Sequence, residues 1–447
     1  MLRVANAQGF WGDDADAPAR TVAGAEIDVL TLDYCAEVSM SILARQKQKD
    51  ANLGYARDFL DTLRSLVPYL KQGGKIVTNA GGLNPRACAQ AATKLLVECG
   101  ATGIRIGIVE GDDVLSIVRS TPADFDHLES RRPISDVLDR VLTANAYIGA
   151  LPVAQALRAG AQIVIAGRLA DPSMVVAPAM AHFDWADDDW DRLAGASVAG
   201  HLVECGAQAT GGIATHWINV PGNDNIGFPI VEIDADGSCV LTKPAGTGGE
   251  VTDRTAKEQL LYEMGDPGNF LTPDVTASIL SVKIDDLGND RVRISGAAGR
   301  AAPAKYKVSA TYRAGFRSTC MLTIIGRDAV AKARRCGEVV RAKFAARGYQ
   351  PRRFNVEVIG SGDAAGGILG RRDDLTEVVL RVTCADERRE VVEFFARQLV
   401  PLVTAGPQGT TGYFDARGDV REYYAYWPTL IDRDRVKLAV EVIEAAG

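Results

Sequence analysis

The feature that most constrains the fold is a repeated alternation of short apolar runs and amphipathic segments in residues 1–183. The segments YARDFLDTLRSLVPYLKQGG and RACAQAATKLLVECG carry apolar residues at three- and four-residue spacing and end in glycine, which is typical of helices. The apolar runs, which we interpret as buried strands, are LRVANA, IDVLTL, KIVTN, IRIGIV and QIVIAG. Because alternating strands and helices build parallel βαβ units, we expect an α/β chain with an N-terminal Rossmann-like domain that contains a doubly wound parallel sheet.

The polar residues that follow these strands predict a ligand site. In open parallel sheets, ligands bind beyond the carboxyl ends of the strands. Asp33 follows IDVLTL, Asn84 follows KIVTN, and Arg168 and Asp171 follow QIVIAG. Each of these residues alone is more simply explained as a helix cap or a turn residue. Their recurrence at successive strand ends favours a shared site, in which Arg168 would clamp a carboxylate or phosphate.

The pattern changes after residue 183, which predicts two further domains. Residues 184–315 are rich in glycine and proline, and the alternating runs PIVEI and CVLTK are separated by DADG, a candidate β-turn. We expect a mixed α+β domain there. Residues 316–447 follow a βαββα order that starts at CMLTIIG. A closing strand would make this third domain ferredoxin-like.

The composition excludes several classes of partner. The chain has 447 residues, 47% of them hydrophobic, and a formal net charge of -7 without a basic stripe, so we expect no nucleic-acid partner. No segment approaches the roughly 18 consecutive apolar residues of a membrane helix. The start MLRVANAQGFWGDD lacks the pattern of a secretion signal. We therefore expect a cytoplasmic protein with no membrane association and, from the frequency of symmetric dimers, a homo-oligomer.

Cofactor and metal motifs are scarce. The eight cysteines form no CxxC pair and the four histidines are dispersed, so we expect no metal site. No GxGxxG opens the first helix and no GxxxxGK[ST] occurs. In KPAGTGGEVT, backbone N–H groups around Gly248 together with Lys243 could hold a phosphate of a carrier such as coenzyme A. A tight hairpin with a solvated lysine explains the same pattern.

The stretch GHLVECGAQATGG is the strongest candidate for chemistry. Apolar neighbours would raise the pKa of Glu204 and allow it to act as a general acid or base. Cys205 could be a nucleophile if its thiol pKa were lowered and a base stood nearby. His201 would face Cys205 only if the stretch were helical. The alternative is a tightly packed turn in which Cys205 is a small buried residue and Glu204 accepts hydrogen bonds from backbone donors.

Several of these stretches together resemble one protein family. LTLDYCAEVSMSILAR, TNAGGLNP, AGRLADPS, GHLVECGAQATGG, GFPIVEI, KPAGTGGEVT, KEQLLYEMGDPGNFLTPDV and RISGAAGR resemble, in this order, the bacterial acyclic terpene utilisation protein A family. The resemblance implies a cytoplasmic protein that works among enzymes of acyl-CoA catabolism. It implies no established catalytic residue. Positions within the family's characteristic motifs are Asp33, Glu37, Asn79, Asn84, Arg168, Asp171, Glu204, Cys205, Lys243 and Glu258.

The sequence thus leads to one main functional prediction and two alternatives. We expect an enzyme that acts on a branched or unsaturated acyl-CoA, or a related carboxylate, by acid-base chemistry of the hydratase or lyase type, with coenzyme A as part of the substrate and no other cofactor. The first alternative is a thioester hydrolase that uses Cys205. The second is a non-catalytic subunit that binds acyl-CoA or a partner enzyme. The candidate catalytic residues are Glu204, Asp33 and Cys205, and the candidate substrate-binding residues are Arg168, Asp171, Asn79, Asn84, Lys243 and Gly248.

Overall fold

The chain folds into two compact units. The computed structural model describes residues 1–446, apart from the side chains of residues 413 and 414. The first unit comprises Met1–Thr311 and the segment from Tyr426 onward, and the second comprises Tyr312–Ala425. Among the described residues, no helix is long and apolar enough to cross a membrane.

Strands and helices alternate through most of the chain. The strands are β1 (Leu2–Asn6), β2 (Val29–Leu32), β3 (Lys75–Thr78), β4 (Arg105–Glu110), β5 (Val141–Ala146), β6 (Ile163–Ala166), β7 (Ile230–Ile233), β8 (Cys239–Thr242), β9 (Phe270–Leu271), β10 (Thr276–Ser278), β11 (Lys283–Asp286), β12 (Val292–Ser295), β13 (Ala298–Arg300), β14 (Lys305–Ile325), β15 (Arg353–Ile359), β16 (Glu377–Asp386), β17 (Thr410–Thr411), β18 (Arg421–Asp432) and β19 (Ala439–Glu444). The α-helices are α1 (Ala17–Gly24), α2 (Glu37–Lys49), α3 (Asp58–Ser65), α4 (Val67–Lys71), α5 (Pro85–Glu98), α6 (Leu115–Ser120), α7 (Leu151–Arg158), α8 (Ser173–Phe183), α9 (Trp190–Val203), α10 (Asp253–Leu261), α11 (Ala329–Ala346), α12 (Arg389–Phe395) and α13 (Leu402–Ala405).

The first unit is built on a mixed sheet with a parallel centre. Its strand order is β11-β12-β8-β7-β1-β2-β3-β6-β4-β19. The neighbouring strands from β1 to β4 in this order pair in parallel. On the two sides of this parallel centre, β7 pairs with β1 and β19 pairs with β4, both in antiparallel orientation. A second, smaller sheet has the order β13-β10-β9. The prediction of an α/β chain is confirmed, while the doubly wound arrangement stays a prediction.

The central strands are covered on both faces. All four residues of β2 and all four residues of β6 are buried, as expected for parallel strands between layers of helices. Leu30 and Ile76 belong to the same core cluster as Ala92 and Leu96 of α5. Each large apolar side chain that is removed from water in this way contributes roughly 1.5–3 kcal/mol. This packing holds the carboxyl ends of β2, β3 and β6 at one edge of the sheet.

The middle of the chain extends the first sheet. The predicted boundary at residue 183 falls inside the first unit, because β7 pairs with β1 through Leu2↔Ile233 and the pairs that follow. The predicted boundary at residue 315 lies close to the start of the second unit at Tyr312. The last strand, β19, returns to the first unit and pairs with β4.

The second unit has its own sheet and core. The order of its sheet is β15-β16-β14-β17, and each neighbouring pair is antiparallel. Val340 and Phe344 of α11 and Phe395 of α12 belong to one buried cluster with Leu322 and Leu380 of the sheet. The ferredoxin-like assignment stays a prediction for this unit.

Candidate functional site

A cavity of about 370 Å³ lies in the first unit. Its walls are mostly apolar and include Leu128, Phe270, Leu271, Pro273 and Leu430. The polar and charged side chains that line it include Tyr147, Asp171, His201, Glu204, Lys305 and Lys307. An apolar cavity with a few converging polar groups is typical of a site for a small ligand.

His201 and Glu204 form a nearly buried pair in this cavity. Helix α9 ends at Val203, so the three-residue spacing brings the two side chains together, with 3.1 Å between His201 Nδ1 and Glu204 Oε1. Their side chains are 4% and 11% exposed. Asn6, at the end of β1, donates from Nδ2 to the carbonyl oxygens of Val203 and Glu204, each at 2.9 Å. The central sheet thereby anchors the end of the helix.

The geometry of this pair defines where its proton lies. His201 Nε2 is 3.2 Å from the carbonyl oxygen of Leu260, which can only accept, so Nε2 carries a hydrogen. The remaining nitrogen, Nδ1, therefore shares a proton with Glu204. Burial raises the pKa of the Glu204 carboxyl, although the hydrogen bond from His201 opposes this rise. The pair can hold a proton and release it to a bound ligand.

Asp171 lines the cavity beside Glu204 and is held by Arg168. Arg168 leaves the end of β6, is 2% exposed, and donates from Nη1 to Asp171 Oδ1 at 2.6 Å and to the carbonyl oxygen of Leu169 at 2.6 Å. The negative charge of Asp171 adds to the rise in the pKa of Glu204. The Arg168 guanidinium is thus engaged by the protein, and it is Asp171 that faces the cavity.

Asp33 and Asn79 are buried close to the ion pair of Arg168 and Asp171. Asn79 donates from Nδ2 to Asp33 Oδ1 at 2.7 Å, and its own Oδ1 accepts a hydrogen bond from the backbone N–H of Tyr34 at 2.7 Å. Burial, followed by the charge of Asp171, raises the pKa of Asp33 well above its usual value. A Cβ at Gly81 would lie 2.6 Å from the carbonyl oxygen of Ala166. Only glycine lets the loop after β3 pass so close to the end of β6.

Tyr147 forms another part of the cavity wall. Its hydroxyl donates a hydrogen bond to Glu37 Oε1. The Arg168 Cζ lies 4.1 Å from the centroid of the Tyr147 ring, and Lys307 Nζ lies 4.6 Å from the same centroid. The ring is therefore held by two cations.

The comparison with protein families assigns the chain. The model of the family described as acyclic terpene utilisation family protein AtuA matches residues 2–442, which include all the cavity-lining residues. The chain belongs to the AtuA family. The resemblance found in the sequence is thus confirmed, and membership implies a role in the utilisation of acyclic terpenes, a catabolic process. No curated protein and no solved structure matches the chain.

Besides Arg168, Asp33 and Asn79, four more of the candidate residues in this AtuA family protein do not line the cavity and have structural contacts instead. Asn84 caps α5 and donates from Nδ2 to the carbonyl oxygens of residues 51 and 53. Lys243 Nζ donates to the carbonyl oxygen of Thr247 at 2.8 Å and pairs with Asp290 at 3.1 Å. A Cβ at Gly248 would lie 1.8 Å from the carbonyl oxygen of Gly222, so its backbone packs against another loop.

Cys205 is the fourth of these residues. Burial, followed by the negative charge of Glu204, raises the pKa of its thiol to about 12. The thiolate needed for nucleophilic attack is therefore scarce at neutral pH. His201 points its Nδ1 to Glu204 and not to Cys205. This environment disfavours the cysteine alternative.

Several cavity residues of the AtuA family protein were missed by the sequence reasoning. Tyr147 directly follows the run VLTANA, which forms β5, so it too stands just beyond a strand. Lys305 and Lys307 are two residues apart at the start of β14. Side chains at this spacing lie on the same face of a strand. These two signals were present in the sequence.

Proposed function

We propose that this AtuA family protein is an enzyme of acyl-CoA catabolism that acts on a branched or unsaturated acyl-CoA, or a related carboxylate, by acid-base chemistry of the hydratase or lyase type. The observation that carries the proposal is the nearly buried pair of Glu204 and His201 in an apolar cavity. Coenzyme A enters as part of the substrate.

Glu204 supplies the proton for carbon in this proposal. Adding water across a double bond next to a thioester requires an acid that protonates the α-carbon, and the reverse reaction requires the conjugate base at the same place. A carboxyl whose pKa is raised by burial holds its proton more readily than an ordinary glutamic acid and can carry out both steps. His201 positions the Glu204 carboxyl through Nδ1.

The walls of the cavity suit the acyl part of such a substrate. Ligand cavities typically enclose about 300–1,000 Å³, and 370 Å³ is enough for a branched acyl chain. Phe270, Leu271 and Leu430 offer apolar contacts to that chain. Lys305 and Lys307 offer positive charge to a carboxylate or to the enolate oxygen that develops during the reaction.

The test substitution removes the acid group of Glu204 and keeps the size of its side chain. Glu204→Gln keeps a hydrogen-bonding side chain of the same size but cannot transfer the proton, so we expect water addition to fall by about 10²–10⁴-fold. Products from a panel of α,β-unsaturated branched acyl-CoAs are measured by mass spectrometry as a gain of one water. Glu98→Gln, on the exposed surface of α5, is the matched control. Equal turnover by Glu204→Gln and the unaltered protein would remove Glu204 from this role, and release of free coenzyme A would instead favour hydrolysis.

A further inference from the structure

We propose that Tyr147 is a second catalytic residue, which transfers the proton of the water oxygen, and that Glu37 accepts this proton through Tyr147. The inference rests on the proposed function and assigns the half of the reaction that Glu204 does not perform. Addition of water needs two proton transfers at different atoms, one to the α-carbon and one from the attacking oxygen.

The position of Tyr147 allows it to pass a proton from the cavity to Glu37, a base that does not line the cavity. Its side chain lines the cavity, whereas Glu37 does not, and the Tyr147 hydroxyl donates its hydrogen bond to Glu37 Oε1. The lone pairs of the hydroxyl oxygen are therefore free to accept a proton from a bound water. Glu37 is the first residue of α2, where the partial positive charge of the helix N-terminus stabilises a carboxylate.

Two cations lie against the ring of Tyr147 and hold it in position for this transfer. The Arg168 guanidinium and the Lys307 ammonium lie 4.1 and 4.6 Å from the centroid of the ring. The Arg168 guanidinium is fixed before any substrate arrives, since it is also bound to Asp171. Charges that are already in place cost little reorganisation during the reaction.

The surroundings of the two glutamates favour opposite protonation states. Burial raises the pKa of Glu204. Burial also acts to raise the pKa of Glu37, but the hydrogen bond from Tyr147 and the charge of Arg168 outweigh it and lower that pKa. The ionised form is thus favoured at Glu37, which leaves it able to receive a proton, and the protonated form of Glu204 is more populated than that of an ordinary glutamic acid, which leaves it able to donate one.

Protons move at two places during the hydration step. The water oxygen forms a bond to the β-carbon, and the electrons of the double bond form a new C–H bond at the α-carbon with the proton of Glu204. The water gives one proton to the hydroxyl oxygen of Tyr147, while the Tyr147 proton moves to Glu37. The net change is one proton lost by Glu204 and one gained by Glu37, and exchange with solvent restores both groups. Dehydration follows the same path in reverse.

The experiment separates the two proton transfers. Hydration of methylcrotonyl-CoA requires both, whereas exchange of the α-hydrogens of isovaleryl-CoA for deuterium in D₂O requires only Glu204. Tyr147→Phe keeps the ring beside its two cations, and Glu37→Gln keeps a hydrogen-bond acceptor for Tyr147. Tyr69→Phe is the matched control, since Tyr69 is a buried tyrosine whose hydroxyl contacts the backbone of Lys75 outside the cavity.

We expect Tyr147→Phe and Glu37→Gln to lower kcat for hydration by about 10²–10⁴-fold. Their KM and their rate of α-deuterium exchange should stay close to those of the unaltered protein. Because Glu37 acts through Tyr147, it is a positioning residue, and the unchanged exchange rate distinguishes its role from a loss of fold.

Three results would overturn the inference. Unchanged hydration by both variants would exclude the relay and leave the role of Glu204 intact. A parallel loss of hydration and exchange would show that Tyr147 supports the site as a whole and not the oxygen alone. If the unaltered protein neither hydrates methylcrotonyl-CoA nor exchanges the isovaleryl-CoA hydrogens, the proposed function fails on these substrates, and the relay fails with it.

Discussion

At the scale of single residues, the protein keeps several carboxyl groups buried beside the carboxyl ends of its parallel strands. Asp112 is one of them: it is 3% exposed and accepts hydrogen bonds from the backbone N–H of Arg168 and from Asn145 Nδ2, each at 2.8 Å. Burial, against these hydrogen bonds, raises its pKa from 3.8 to about 6. Such a shift makes the stability of the fold depend on pH.

The sign of this dependence follows from the direction of the pKa change. An acid with a higher pKa in the folded protein stabilises the fold below its unfolded pKa of 3.8, and this contribution is lost as the pH rises through about 6. The difference corresponds to about 3 kcal/mol. We therefore expect Asp112→Asn to gain up to about that much stability relative to the unaltered protein as the pH rises across this range.

Urea unfolding of both proteins at several pH values measures this difference. Asp187→Asn, at an exposed position far from Asp112 in the sequence, controls for the loss of one carboxylate. A difference in unfolding free energy between Asp112→Asn and the unaltered protein that stays constant with pH would contradict the prediction.

The site residues that could be predicted from the sequence are those at the ends of strands and helices. Asp171 and Glu204 each stand just beyond a regular element, and the structure brings both to one cavity. The contact between Glu37 and Tyr147 joins residues 110 positions apart. No local pattern predicts such a contact, because it depends on which strands become neighbours in the sheet.

At the scale of elements, the site depends on how the end of α9 is fixed to β1. Asn6 is 1% exposed, and its two hydrogen bonds hold the carbonyl oxygens of Val203 and Glu204. The strand β1 was predictable from the apolar run LRVANA, whereas its contact with α9 was not. A buried acceptor that loses its donor costs about 1–3 kcal/mol.

We expect Asn6→Ala to lower the free energy of unfolding by about 1–3 kcal/mol and to lower turnover as well, because Glu204 loses its fixed position. Chemical denaturation together with the hydration assay measures both effects. Asn52→Ala, in an exposed turn, is the control and should change neither quantity. An Asn6→Ala variant that is as stable and as active as the unaltered protein would show that α9 does not need this anchor.

At the scale of the whole molecule, the first unit is completed by the last strand of the chain. The strand β19 pairs with β4 from Ala439↔Glu110 to Glu444↔Arg105 and covers that edge of the sheet. The alternating apolar residues of this segment do not reveal which edge it joins. The same holds for β7, whose pairing with β1 merges the middle of the chain with the N-terminal sheet. Long-range pairing of this kind is set by the complete fold and not by local sequence.

Removal of residues 439–447 should therefore destabilise the first unit. The truncation exposes the unpaired edge of β4, and such edges promote association with other chains. We expect a lower thermal midpoint and more aggregation than for the full chain, measured by circular dichroism and light scattering. An unchanged midpoint would mean that β19 adds little to the stability of the sheet.

Glu204 is proposed to carry out acid-base chemistry on the carbon next to a thioester inside the apolar cavity. The most direct measurement is the rate at which isovaleryl-CoA exchanges its α-hydrogens for deuterium with the unaltered protein and with Glu204→Gln. We expect exchange with the unaltered protein and with the Glu98→Gln control, and an exchange rate about 10²–10⁴-fold lower with Glu204→Gln. Equal exchange rates in the unaltered protein and Glu204→Gln would mean that Glu204 does not transfer this proton.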